Sequence, residues 1–348
     1  MIYGKIGGAK VSRIGMGCWA FGGGAYWGEQ AQKDVDDVVR AALDSGINFF
    51  DTAQMYNDGA SEKSLGAALK GARKSAYICS KVSPAKAYYK ALKAACEESL
   101  TNLDTDYIDL YMLHWPINPL GIKHFTTDPA VISAPPTAED AFRALSDLKK
   151  EGKIRDIGIS NFGIKQMREA LSVCPEIVAN ELPYNIISRA IEAEILPLCK
   201  ERNLAIITAM TLQQGVLTGA FKSAAEIPPY QAHSRHFANG RGQGTSRHGE
   251  AGAEAEVFET VDLLRELSAR LNASVPQLAT AWALANPQIT CALIGSRDKA
   301  QLDDNLKSLN VKIPQAAIDK INAVSLKVLK KLGDSPDYYE KSTESRIY

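Results

Sequence analysis

The chain has 348 residues, with 40 basic and 40 acidic side chains and a sequence pI of about 7.0. Zero net charge leaves no whole-protein field to draw in nucleic acid or an anionic membrane. No run of about 18 apolar residues predicts a membrane span, the opening MIYGKIGGAK lacks the apolar core of a signal peptide, and six cysteines without a CxxC pair predict free thiols in the cytoplasm.

YGKI, GGAK and VSRIGMG open the chain, and Gly-Gly between alternating segments predicts an N-terminal β-hairpin. After it, short β-branched runs alternate with amphipathic helical patterns. VSRIGMG leads into QKDVDDVVRAALDSG, INFFD (47–51) into SEKSLGAALKGA, AYICSK (76–81) into KAYYKALKAACEESLTNL, and YIDLYMLH (107–114) into AEDAFRALSDLKKEG. IRDIGIS (154–160) precedes KQMREALSVC, and EIVANE (176–181) precedes AIEAEILPLCKERN. LAIITA (204–209) precedes AEVFETVDLLRELSARLN and VPQLATAWALAN, and ITCALIG (289–295) precedes KAQLDDNLKSL. Eight such units imply parallel pairing, right-handed crossovers and a closed (β/α)8 TIM barrel, read as one domain over residues 1–348. An open doubly wound sheet is the alternative, but no GxGxxG opens the first helix, and GCWAFGGG has the wrong spacing. Residues 115–135 and 221–253 are long connections leaving the C-terminal ends of strands, where barrel enzymes keep their substrate and cofactor loops. The second is expected to be mobile without a ligand, and the polar tail after Leu329 to fold back over the barrel mouth.

The apolar runs end in Asp51, Lys81, His114, Ser160 and Glu181. A hydrophobic strand ordinarily ends in turn residues. In a parallel barrel these polar ends meet on one face. Asp51 and Lys81 come from neighbouring strands and can form an ion pair, the condition on which buried charge survives. Tyr56 sits in the loop after Asp51. A free phenol titrates at about 10, too high for efficient proton transfer near neutrality. Positive charge at Lys81 is expected to favour the phenolate and bring that value down. His114 is placed to hydrogen-bond the same substrate oxygen. Taken singly, each has a bland reading: a structural ion pair, a packing tyrosine, a satisfied core histidine. Their convergence on one face favours a working site. His233 and His236, in the motif HSRH, have no carboxylate or cysteine at helical spacing, and no metal is expected.

GMGCWAFGG, FFDTAQMYNDGASEKSLGAAL, ICSK, IDLYMLHWP, LKKEGKIRDIGISNF, NELPYN, QGVLTG and LIGSRDKAQLDDNLKSL together resemble the aldo-keto reductase superfamily over nearly the whole chain, in its order and at its spacing. The resemblance implies a barrel that binds a nicotinamide cofactor without a Rossmann fold, NADP(H) in preference to NAD(H). It places Asp51, Tyr56, Lys81 and His114 on the family's catalytic tetrad. Tyr56 would be the general acid for carbonyl reduction and the base for alcohol oxidation, with Lys81 tuning it, Asp51 holding Lys81, and His114 orienting the carbonyl oxygen. Ser160 and Asn161 match the positions that bond the nicotinamide carboxamide, beside Gly17, Cys18 and Trp19 at the end of the first barrel strand. Met210, Thr211, Leu212, Gln214, Gly215 and Leu217 lie in the loop passing the pyrophosphate. Gly295, Ser296, Arg297, Gln301, Asp304 and Asn305 match the adenosine end. Arg297 suits a 2′-phosphate, since guanidinium grips phosphate with two parallel bonds, although a solvated surface arginine is its bland reading. Trp19, Tyr26, Trp27 and Trp115 would crowd the mouth as substrate walls, with simple packing an equal reading for Tyr26 and Trp27.

The chain departs from the family pattern twice. Glu181 stands where glutamine is frequent. If ionised, it would favour the positively charged oxidised nicotinamide and so alcohol oxidation. Ala209 stands where many members carry an aromatic that stacks on the nicotinamide, so either another side chain covers the ring, with Met210 one candidate, or cofactor binding is looser. The expected function is a hydride transfer between nicotinamide and a carbonyl or alcohol. A sugar or polyol is the expected substrate, suited by polar loops and mouth aromatics, although these also suit a small aldehyde or ketone. A small-molecule substrate is expected, with no nucleic-acid or membrane partner and the oligomeric state open. Two alternatives are a cofactor-sensing regulatory subunit, which would call for an added partner-binding arm, and a lyase or aldolase using Lys81 as a Schiff-base nucleophile.

Overall fold

A computed structural model describes residues 1–348, the side chain of Leu120 excepted. Strands β1 (Tyr3–Ile6) and β2 (Ala9–Ser12) pair antiparallel, with Ile6 opposite Ala9, so Gly7 and Gly8 form the turn. Ile6 and Val11 pack with Phe49, Tyr77, Cys79, Leu110 and Cys291 of the barrel interior, so the hairpin plugs one end of the barrel.

The barrel strands are β3 (Ile14–Gly17), β4 (Phe49–Asp51), β5 (Tyr77–Val82), β6 (Ile108–Leu113), β7 (Ile154–Ser160), β8 (Ile177–Pro183), β9 (Ala205–Ala209) and β10 (Ile289–Ile294). They run parallel in chain order and close through β10 against β3. Every residue of β5 and β6 is buried, as expected of strands covered on both faces. Helices α1 (Gln32–Asp44), α2 (Ala60–Ala68) and α3 (Tyr89–Asn102) follow β3, β4 and β5. The 115–135 connection carries two short helices, α4 (Pro119–Ile122) and α5 (Pro129–Ser133), before α6 (Ala138–Lys150). Then come α7 (Ile164–Val173), α8 (Ile195–Arg202), α9 (Glu254–Leu271), α10 (Val275–Ala285), α11 (Lys299–Leu306) and α12 (Gln315–Leu332).

The helical pattern follows from spacing. In α1 the buried residues are Val35, Val38, Val39 and Ala42, one stripe at the 3.6-residue period. In α6 the Thr137 hydroxyl caps the amide of Asp140, with Glu139 and Asp140 in the first turn and Lys149 and Lys150 in the last. Both ends thereby complement the helix dipole.

Two expectations need correction. Helix α12 runs to Leu332, so the tail begins later than Leu329. The 221–253 connection is packed rather than loose. Arg235, His236 and Phe237 are buried. Arg235 bonds Glu250 (2.9 Å) and, through its backbone amide, the Tyr338 carbonyl (2.7 Å). His236 bonds the Ile187 carbonyl (2.9 Å) and stacks on Tyr338, and His233 stacks on Tyr339. Polar side chains that looked solvated in sequence are used to fasten the tail. Gly252 joins the segment to α9 at φ 77°, and a Cβ there would lie 2.4 Å from the Phe237 carbonyl carbon. Gly252→Ala therefore combines backbone strain with a backbone clash and is expected to cost about 3 kcal/mol, read as a lower denaturant midpoint. An unchanged midpoint would show that the segment yields freely.

Candidate active site

The polar residues meet at the C-terminal ends of the strands. Asp51 ends β4 and lies in register with Cys79 of β5, so Lys81, two residues on, reaches the same interior layer. Lys81 is fully buried. Its ammonium donates to the Asp51 carboxylate and to the Thr52 carbonyl (3.0 Å), and lies 3.5 Å from the Tyr56 hydroxyl. His114 follows β6, buried, with its ring centroid 5.5 Å from that of Tyr56 and Nδ1 unpartnered. The four candidate residues thus stand together around one point.

Glu181 belongs to the same cluster, as its place at the close of an apolar run predicted, but its contact with Lys81 was not foreseen. β8 continues to Pro183, so Glu181 lies inside the strand rather than at its end, opposite Ser160. Its Oε1 is 3.3 Å from the Lys81 ammonium, while Oε2 is buried without a partner. One ammonium therefore faces two carboxyl groups. Donor atoms of Asp51, Cys79 and Glu181 all lie within 4.8 Å of one another, spacing that a metal ion could use. Lys81 contacts both carboxyls and supplies the cation from within the chain.

The electrostatics revise two expectations. Tyr56 is raised above the ordinary phenol value: burial outweighs the pull of Lys81, and Asp51 and Glu181 add to the rise. Lys81 does stabilise the phenolate, but its charge is shared among carboxyls and does not offset desolvation. Glu181 is pushed up to about 8 by burial and then by the charge of Asp51, against the opposing pull of Lys81. The rise favours the protonated carboxyl, which weakens the electrostatic ground for a bias toward oxidation. Burial works against the Lys81 charge, yet Asp51 and Glu181 leave its pKa well above the ordinary value. His114 is lowered well below its ordinary value by burial and then by Lys81, so its imidazole is neutral.

The mouth is roofed by the loop from β3 to α1. Trp19 stacks on Tyr26 (5.0 Å) and lies 5.8 Å from Tyr56, while Trp27 meets both Trp19 and Tyr26 edge-on. Asn57, beside Tyr56, holds this loop through the Trp19 and Phe21 carbonyls (2.8 and 3.0 Å). Trp115 packs instead under the guanidinium of Arg346 (4.0 Å). The tail does reach the mouth, since the Tyr339 hydroxyl lies 2.9 Å from the Met210 sulfur. Buried Glu340 gathers Arg247 (2.5 Å) and His124 (3.7 Å) from the two long connections, and Arg346 pairs with Asp337 through two bonds (2.9 and 2.8 Å). Sequence reading missed these tail residues, because no local pattern in DYYEKSTESRIY names partners as distant as Met210, Arg247 and His124.

The remaining positions divide. Gly17 is in register with Asp51, and the Cys18 amide bonds the Asp51 carbonyl (2.8 Å), so both line the strand end. Ser160 and Asn161 lie at the mouth, where the Asn161 amide donates to the Ser160 hydroxyl and to the His114 carbonyl (both 3.1 Å). Gln213, Gln214 and Gly215 carry consecutive positive φ values, so the chain turns sharply, and the Gln214 side-chain carbonyl is buried without a partner. Thr211 is tied to Thr208 (3.1 Å), and Leu212 is partly buried against the core. Leu217 is fully buried and packs in the hydrophobic core. Asn305 bonds the Ser296 hydroxyl (3.0 Å), beside Gly295. Gln301 accepts from the Arg297 amide (3.0 Å). Asp304 is turned away from this group and is held by Gln277 (2.8 Å) and Ser274 of α10. The Arg297 guanidinium donates to the Trp27 and Glu29 carbonyls, so it latches the aromatic loop rather than standing free in solvent.

A closed parallel barrel with a lysine, a tyrosine and a histidine at the C-terminal mouth defines a (β/α)8-barrel enzyme. The chain belongs to the aldo/keto reductase family, whose sequence profile matches residues 13–326. It is 33% identical to aldo-keto reductase YhdN of Bacillus subtilis (strain 168), over 85% of this chain and 84% of that protein. It is 30% identical to the NADH-specific methylglyoxal reductase of Escherichia coli (strain K12), over 88% and 92% of the two chains. An aldo/keto reductase from Klebsiella pneumoniae in complex with NADP and acetate superposes with a TM-score of 0.70 at 25% identity, over 99% and 98% of the chains. Membership makes this chain a nicotinamide-dependent oxidoreductase. The residues present fit such a group: Trp27 Nε1, His114 Nδ1, Glu181 Oε2 and Gln214 Oε1 are buried polar atoms without partners at or beside the mouth. Partnerless buried polar groups are costly unless something bonds them.

Proposed function

We propose that the protein is an NADP(H)-dependent reductase of small aldehydes or ketones, 2-oxoaldehydes among them, acting on the carbonyl with Tyr56 as proton donor. The observation that carries this reading is the triangle of Lys81, Tyr56 and His114. The bound nicotinamide supplies or accepts the hydride. Ser160, Asn161 and Glu181 would hold its carboxamide, with residues 210–215 and 295–305 along the rest of the dinucleotide. Tyr56, neutral over the physiological range, holds the proton for the substrate oxygen. Lys81 stabilises the phenolate left behind, Asp51 fixes Lys81, and neutral His114 orients the oxygen by a hydrogen bond. A raised Lys81 pKa keeps the ammonium charged and so argues against a Schiff-base lyase.

A small carbonyl is favoured over a sugar because the mouth aromatics are packed against one another and not displayed as open faces. The similarity to a methylglyoxal reductase points the same way. Fluorescence titration with NADPH and NADH, then a screen of 2-oxoaldehydes, aldoses and the corresponding alcohols in both directions, tests the reading. Turnover confined to polyols would overturn the substrate assignment. Arg297 is proposed as the 2′-phosphate contact, in exchange for its two loop carbonyls. Arg297→Met should weaken NADPH by roughly 10–100-fold and NADH little, the value of a charge-assisted bond. Equal losses for both would make Arg297 only a latch for the loop.

A further inference from the structure

We propose that Glu181 is a positioning residue for Tyr56: in its neutral form it leaves a Lys81 N–H for the phenol, and in its ionised form it takes that N–H away. The inference rests on the reductase reading above and concerns the state of the same site. It begins with a count. An ammonium has three hydrogens. Four oxygens surround Lys81 Nζ: an Asp51 carboxylate oxygen, the Thr52 carbonyl at 3.0 Å, Glu181 Oε1 at 3.3 Å and the Tyr56 hydroxyl at 3.5 Å. The first two bonds are fixed by β4 and the chain just after it. The third hydrogen has two claimants, on opposite sides of the catalytic question.

A neutral carboxyl is a weak acceptor, and the phenol then receives the bond that stabilises its developing negative charge. An ionised carboxylate is a strong acceptor at close range. It turns the ammonium toward itself and adds negative charge beside the phenol, where Glu181 already acts to raise Tyr56. The buried thiols around Glu181 do not titrate in its window. Cys79 of β5 and Cys291 of β10 are buried and raised well above the ordinary thiol value, and Asp51 of β4 is bound to Lys81. Lys81 and Tyr56 lie above their ordinary values, and His114, edge-on to Tyr56, lies well below its own. Glu181, at about 8, is the group in this cluster that changes charge near neutrality. Position inside β8 fixes it there: neighbouring Ser160 of β7 and Ile207 of β9 hold the backbone register and offer no ionisable side chain.

The test is the pH profile of kcat for carbonyl reduction at saturating NADPH, from pH 6 to 10, for the wild type and Glu181→Gln. The wild type should lose activity as pH rises through about 8, with kcat falling rather than KM rising, and the variant should lack that limb. An identical limb in both proteins, or none in the wild type, would overturn the proposal. Thermal unfolding of the cofactor-free proteins gives a readout independent of turnover. A carboxyl whose folded pKa lies above its unfolded value stabilises most below the unfolded value, and that advantage is lost as pH rises to the folded one. The wild-type melting temperature should therefore fall relative to Glu181→Gln between about pH 4.5 and about pH 8, then run parallel. A difference constant with pH would also overturn it. Wild-type protein without turnover on any carbonyl would sink the reductase reading, and the role of Glu181 with it. Turnover with an unchanged limb sinks the Glu181 role alone.

Discussion

Tyr56→Phe should lower kcat for carbonyl reduction by roughly 10²–10⁴-fold, the usual worth of a positioned general acid. NADPH binding, followed by fluorescence, should stay nearly as in the wild type. The two readouts separate because the hydroxyl is the reacting group, while the ring is only one wall of the mouth, 5.8 Å from Trp19. The substitution should also be mild for the fold. The bond it deletes spans 3.5 Å to Lys81, at the edge of hydrogen-bonding range, so a loss of about 1 kcal/mol or less is expected. A variant retaining more than about a tenth of the wild-type rate would exclude Tyr56 as the proton donor.

Lys81→Met should be the more damaging change, in both activity and stability. It removes the cation facing Asp51 and Glu181 and leaves two buried carboxyls against one another. Breaking a buried pair by removing one partner costs about 3–5 kcal/mol, because a charge stays buried without compensation. The loss should depend on pH with a definite sign. Without the ammonium, both carboxyls bind protons more tightly in the folded state than in the unfolded one. The variant should therefore lie closest to the wild type at about pH 4 and fall further behind as pH rises toward neutrality. A stability deficit that does not change between those pH values would mean that the pair contributes packing rather than charge. Turnover should be lost at every pH, since the phenolate has no other nearby cation.

The contrast between these two residues shows how much of the site could be read from the chain. Asp51, Lys81 and His114 were visible because each interrupts an apolar run where a strand should yield to a turn. Tyr56 was visible through its distance from Asp51. Glu181 carried the same signal, a carboxyl closing an apolar run, but its partner was hidden. The strand continues two residues past it, and the ammonium it faces comes from β5, 100 positions earlier. Arg297 is a different case. Its chemistry suits a phosphate, and the fold also gives the guanidinium two carbonyls of the aromatic loop, partners the sequence does not show. Leu217 and Asp304 sit in motifs that resemble cofactor loops, but one packs into the core and the other accepts from the side chains of Ser274 and Gln277 at the start of α10.

What the sequence determined alone was the alternation of strand and helix, the face on which polar strand ends collect, and the family. Each of these is set by neighbours along the chain: a period of two or 3.6 residues, a cap, a glycine turn. What only the tertiary structure decided was which charges share a partner and how far burial moves them. Lys81 serves two carboxyls, burial shifts Glu181 upward, and Tyr56 is shifted above a free phenol instead of below it. Desolvation and pairing depend on distances of a few ångströms between residues far apart in sequence, which no local pattern records.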